Sequence, residues 1–161
     1  MFRTAQLLSL CLAGGLLAIS SIAHGQSAGS PKDIIVARKI LMSTIGSNMY
    51  PIDQMLETGK IDLDAARLNL ESISAMLLVF PHLFPASTNL WNPNTKRDPA
   101  TDTLADAAIW ESNSTFFGDA IAGSKYAYAA SRAQSLESFR KNARDLRLTC
   151  DGCHSTYQHK D

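Results

Sequence analysis

Cysteine is scarce in this chain. Only three occur in 161 residues, and one of them, Cys11, lies in an apolar leader. The other two, Cys150 and Cys153, leave no disulfide framework to build on. They are followed by no second C-x-x-C, and with only stray His82 or His159 to add they fall short of a structural zinc site. Charge of one sign is missing too. Fifteen basic side chains balance fifteen acidic ones, so nothing argues for nucleic acid or an anionic membrane surface as a partner. No internal repeat, no long low-complexity tract and no convincing strand pattern is present. Without a βαβ context the C-x-x-C does not read as thioredoxin-like. What these absences leave is one domain built from helices.

The first 25 residues read as a signal peptide rather than as part of the fold. Arg3 supplies the positive start, and Ala5 to Ile22 is mostly apolar and uncharged. Ala23-His24-Gly25 puts small residues at the positions that a signal peptidase reads, so cleavage is expected before Gln26. Gly14, Gly15 and several serines dilute the apolar stretch, which argues against a retained membrane anchor. Leu10 is too large to precede a lipidated Cys11. The domain is therefore residues 26–161, and the expected location is the periplasm.

Near the C-terminus stands Cys150-Asp151-Gly152-Cys153-His154. C-x-x-C-H is the attachment signature of a c-type haem. Two thiols must reach the two vinyl groups on one porphyrin edge, and the next side chain must reach the iron. On a helix, positions 150, 153 and 154 share a face, because residues three and four apart are neighbours. One covalent haem c lying along a terminal helix is expected, with His154 as proximal iron ligand.

Apolar periodicity marks four helices. The first opens at Ser30-Pro31-Lys32-Asp33, a serine cap with proline and an acid in the first turn. Its stripe runs through Ile34, Ile35, Leu41, Met42, Ile45, Met49, Ile52 and Leu56, with a kink expected at Pro51 and an end at Gly59. The second spans about Asp62 to Phe80 and buries Leu63, Ala66, Leu70, Ile73, Leu77 and Phe80. Residues 81–102 have loop composition, with four prolines. The third helix is expected over Asp102 to Arg132. The fourth is expected over Ser135 to Gln158, with Leu136, Phe139, Ala143, Leu146, Cys150, Cys153 and Tyr157 inward. The architecture predicted is all-α, an antiparallel up-down-up-down four-helix bundle.

With C-x-x-C-H on its last helix, the chain resembles the class II cytochromes c, the family of cytochrome c-prime and its low-spin relatives. Ala37-Arg38-Lys39-Ile40-Leu41-Met42 followed by Gly46, Asn48 and Met49 is similar to the family's first helix. Phe80-Pro81-His82-Leu83-Phe84-Pro85 resembles its proline-flanked turn, and Ile109-Trp110-Glu111 followed by Phe116 resembles its third-helix start. The long middle loop looks more like the low-spin branch. The resemblance implies thioethers at Cys150 and Cys153 and ligation by His154. It puts Met42 on the distal side of the iron and Arg38 near a haem propionate. Gln158 departs from the lysine or arginine that many members carry there, so proximal tuning by a cation is not implied.

Each residue also has a plainer reading. Met42 on an apolar face also reads as packing, Arg38 as a solvated helix residue, and His82 as a surface histidine, with a distal haem role as its lesser alternative. Tyr157 reads as packing beside the haem. Arg140, Arg144 and Arg147 form a basic stripe, read either as a solvated face or as a dock for an acidic redox partner. The leading functional expectation is an electron carrier cycling between ferric and ferrous iron, with an unidentified redox partner protein. The alternative is a five-coordinate protein binding nitric oxide or carbon monoxide. An enzyme is not expected, because the first helix offers no distal acid–base group near Met42. Dimerisation through the first two helices is a family habit, which leaves homodimer formation open here. The leader yields a direct test: sequencing the protein from the periplasmic fraction should begin near Gln26, and expression of 26–161 without the leader should give cytoplasmic protein lacking covalent haem.

Overall fold

The computed structural model describes residues 29–160, so the leader and its cleavage point lie outside the described residues. Helix α1 covers Pro31–Thr58. Its first turn is closed by a capping box. The Asp33 N–H donates to the Ser30 hydroxyl at 3.3 Å and the Ser30 N–H donates to the Asp33 carboxylate at 2.9 Å. The helix runs without a stop through Pro51 and ends on Gly59, whose φ of 71° is left-handed. That conformation lets the Gly59 N–H donate to the Met55 carbonyl at 3.0 Å. Helix α2, Leu63–Val79, begins on Asp62, whose carboxylate accepts from the N–H groups of Asp64 and Ala65.

After α2 the chain does not break sharply at Pro81. It tightens into a 3₁₀ turn, Phe80–Leu83, and a second one at Ala86–Thr88. Helix α3, Ala108–Glu111, is a single turn, and α4 covers Asn113–Ser131. The expected start of the third helix at Asp102 is therefore corrected to Ala108, with an interruption at Ser112. The cause is competition for backbone partners. Residues 104–106 run alongside the end of the last helix instead. The Asp106 N–H donates to the Tyr157 carbonyl at 2.9 Å and the His159 N–H to the Leu104 carbonyl at 2.8 Å. Ser112, at φ −118° and ψ 42°, is outside the helical region. Helix α5, Leu136–Tyr157, is capped by the Ser135 hydroxyl.

The four long helices form the expected bundle. Helix α4 packs against both α2 and α5 with a face of small residues, Ala120, Gly123, Ser124, Ala127 and Ala130, all buried. The Ser124 hydroxyl is satisfied inside the bundle by the Ser74 carbonyl at 2.9 Å. Ile45, Ile52, Leu70, Ile73, Phe139 and Leu146 fill one core cluster, and Phe80, Phe84, Ile109, Phe116 and Tyr157 fill a second. Leu136 was expected inward but is exposed, because it occupies the first turn of α5, ahead of the inward stripe that Phe139 opens. Ile121 and Tyr128, two of the large residues of α4, are also exposed. Helix α1 packs along α2 but touches α5 sparsely. Among the described residues no helix is long and apolar enough to cross a membrane.

Two substitutions probe this account. Phe139→Ala removes a fully buried ring and should lower unfolding free energy by about 3–5 kcal/mol in chemical denaturation. Gly59→Ala forces a Cβ into the left-handed region and should cost about 1 kcal/mol.

Candidate haem site

The sparse contact between α1 and α5 leaves two adjoining cavities. One, of about 200 Å³, is bordered by Arg38, Met42, Phe84, Phe116, Cys153 and His154 among others. The other, of about 120 Å³, is bordered by Met42, Met49, Leu77, Asp119, Cys150, Cys153 and His154 among others. The five residues singled out by sequence thus meet at one place. Met42 faces the space from α1, while Cys150, Cys153 and His154 face it from α5. Gly46 also borders it, and a Cβ built there would meet nothing within 4 Å. Neither cysteine is in a disulfide.

The microenvironment is apolar. Burial, and secondarily the Asp119 carboxylate, pushes the Cys153 thiol up to about 11, and burial likewise raises Cys150. Tyr157 is buried and sits edge-on to Phe116 at 5.1 Å between ring centres, the packing role expected of it. Its phenol donates to Asp119 at 3.3 Å. Burial and then the Asp119 charge raise that phenol above its ordinary value.

Among the described residues Arg38 is the one charged side chain that is buried, at 4% exposure, so the solvated reading does not hold. Its guanidinium donates to the hydroxyl of Thr88 at 3.0 Å and to that of Thr103 at 2.5 Å. It lies 4.4 Å over the Phe84 ring. Burial lowers its proton affinity to about 10. It makes no ion pair among the described residues, so its positive charge is buried against neutral oxygens only. Such a charge is costly without an anion. Next to it, Lys39 donates to the carbonyls of Pro99 and Asp102. Helix α1 thereby fastens the middle loop one turn away from Met42.

The loop then reaches the end of the last helix. Trp91 stacks on His159 at 3.5 Å between ring centres and 18° between planes, and His159 Nε2 lies 3.1 Å from the Asp106 carboxylate. His82 is exposed, with its ring edge-on to Phe117. The arginine stripe on α5 is partly engaged. Arg147 bridges Asp53 at 3.2 Å and Asp151 at 3.0 Å, and Arg140 reaches the Gly59 carbonyl. Sequence reasoning missed Thr88, Thr103 and Asp119. Asp119 had a faint signal, three residues beyond Phe116 and one before Ala120 on the inward side of α4.

The residues present fit a covalently held porphyrin. Two thiols and an imidazole stand on one helix face, aromatic walls surround an apolar space, and a buried guanidinium at its rim pairs with no anion among the described residues. The family profile described as Cytochrome C′ matches residues 33–158. The chain belongs to the cytochrome c′ family. Members carry a covalently attached haem c with iron, and this chain is such a haem protein. Among solved structures, cytochrome c′ from Rhodopseudomonas palustris shares 26% identity at a TM-score of 0.68, over 80% of this chain and 98% of that one. The nitric oxide complex of a cytochrome c′ mutant from Alcaligenes xylosoxidans shares 18% at 0.67, over 82% and 98%. Oxidised cytochrome c556 from R. palustris shares 19% at 0.66, over 81% and 98%. At identities this low, the last two likenesses concern the fold. A search of curated sequences finds no match.

The loop anchor is testable without the haem. Arg38→Met keeps the apolar stem but removes the hydrogen bonds that tie Thr88 and Thr103 to α1, leaving the Thr88 hydroxyl only the Pro85 carbonyl and the Thr103 hydroxyl only the Ala105 N–H. Unfolding free energy should fall by roughly 1–3 kcal/mol, and limited proteolysis should cut faster within residues 84–106.

Proposed function

We propose that this cytochrome c′ relative is an exported electron carrier, acting in the periplasm after loss of residues 1–25. Cys150 and Cys153 would hold the haem by thioethers, His154 would supply the proximal ligand, and Met42 the distal one. Bound haem c supplies a ferric/ferrous one-electron couple. The observation that carries the reading is the shared border of both cavities: Met42 on α1 and His154 on α5 line the same space. Both side chains ride on long helices held by the packed core, so the ligand set changes little between oxidation states. A neutral thioether paired with imidazole raises the reduction potential, as suits a carrier. Arg38 would meet a propionate with its unneutralised charge.

The chain's other charged groups near that rim do not read as acid–base catalysts, and we class the protein as no enzyme. Arg38 is held by two threonines, and the Asp102 carboxylate accepts the Asp98 N–H at 2.7 Å. A second reading has its own support. The larger cavity lies against Met42, and the A. xylosoxidans relative is a nitric oxide complex. In that reading Met42 is packing, the iron is five-coordinate, and nitric oxide or carbon monoxide is the ligand. The redox partner protein and any homodimer of this chain belong to the same set of proposals.

Visible spectroscopy separates the two. The unmutated protein should be low spin, with a weak band near the red end of the oxidised spectrum that marks sulfur ligation. Met42→Ala should turn the iron high spin and open it to carbon monoxide, while acid–acetone extraction still leaves haem on the polypeptide. Unmutated ferrous protein that is already high spin and takes up carbon monoxide readily would make gas binding the better reading.

A further inference from the structure

Asp119 is the carboxylate that borders the smaller cavity together with Cys150, Cys153 and His154. It sits on α4, half-buried, one residue before the buried Ala120. Its one hydrogen bond among the described residues comes from the Tyr157 phenol at 3.3 Å, and no cation pairs with it there. Arg147 borders the same cavity, but its guanidinium is occupied by Asp53 and Asp151. A negative charge therefore faces the haem-bearing side of α5 without a local counter-charge. The apolar surroundings of Leu77, Phe116 and Gly123 weaken its screening.

We propose that Asp119, oriented by Tyr157, is a positioning residue that sets the reduction potential of this cytochrome from α4. A fixed negative charge stabilises the more positive, oxidised iron over the reduced one, and so lowers the potential. The phenolic hydrogen bond draws charge from the carboxylate and moderates the effect. Asp119 borders the smaller cavity, whereas Arg38 borders the larger one. The inference rests on attachment at Cys150 and Cys153, and it holds with or without Met42 as ligand.

The test is spectroelectrochemical titration of the holoprotein and four variants. Asp119→Asn keeps the shape and removes the charge, and its potential should rise. Asp119→Glu restores the charge and should return the potential toward that of the unmutated protein. Tyr157→Phe removes the donor and should lower the potential. Glu137→Gln, the same charge change at an exposed position in the first turn of α5, should leave it unmoved. An Asp119→Asn potential equal to that of the unmutated protein overturns the proposal. So does an Asp119→Glu potential raised as far as that of Asp119→Asn, since shape rather than charge would then be responsible. The visible spectrum of each variant reports haem attachment and spin state separately from the potential, so a failure of the ligation reading is distinguished from a failure of this one.

Discussion

The close approach of α4 to α2 and α5 is the constraint on which the rest of this structure depends. A Cβ added at Gly123 would stand 3.1 Å from Leu77 Cδ1, tighter than ordinary van der Waals contact, and 3.6 Å from Thr149 Cγ2. With Ala120, Ser124, Ala127 and Ala130 on the same face, three helices close into a dense block. Helix α1 is held to that block through α2 and through its own lower half, where Met49 and Ile52 join the core. Its upper half then stands off from α5. The space left there is bordered by Met42 on one helix and by Cys150, Cys153 and His154 on the other. Packing density at one side of the bundle is thus the physical reason for a slot at the other.

The middle loop is the second half of the site. Its composition marks it as irregular, but its course is governed by three anchors distant in sequence. Arg38 gathers Thr88 and Thr103, Lys39 takes the carbonyls of Pro99 and Asp102, and the backbone of residues 104–106 pairs with the end of α5. Trp91 on His159 adds a stacked contact at the same end. A polypeptide that otherwise lacks a partner for these donors and acceptors would expose them to an apolar cavity. Placed as they are, they form a polar rim around an apolar slot, which suits a ligand with an apolar ring and charged substituents.

That rim is electrically uneven, although the whole chain is neutral. Arg38, a buried cation, borders the larger cavity, and Asp119, a half-buried anion, borders the smaller, and neither is in an ion pair among the described residues. Both are engaged by neutral hydrogen-bond partners, threonine hydroxyls for Arg38 and a tyrosine hydroxyl for Asp119. Net charge carries no trace of this, because it sums over groups that solvent screens.

The sequence by itself determined the local features. Ser30 with Asp33, Asp62, Gly59 and Ser135 set helix ends through hydrogen bonds that close within a few residues. The 3.6-residue stripes set the inward faces, and the C-x-x-C-H spacing put both thiols and the imidazole on one of them. These are short-range consequences of backbone geometry and need no knowledge of neighbours. Tertiary structure alone decided the rest. The third helix begins at Ala108 because residues 104–106 find backbone partners at and just past the end of α5, some 50 positions later. Arg38 is buried because Thr88 and Thr103 come to it. Asp119 faces the site because α4 turns Ala120 and Gly123 inward beside it. In each case the deciding partner is remote in sequence, and a single chain's local pattern holds no information on which remote oxygen or nitrogen a polar side chain will meet.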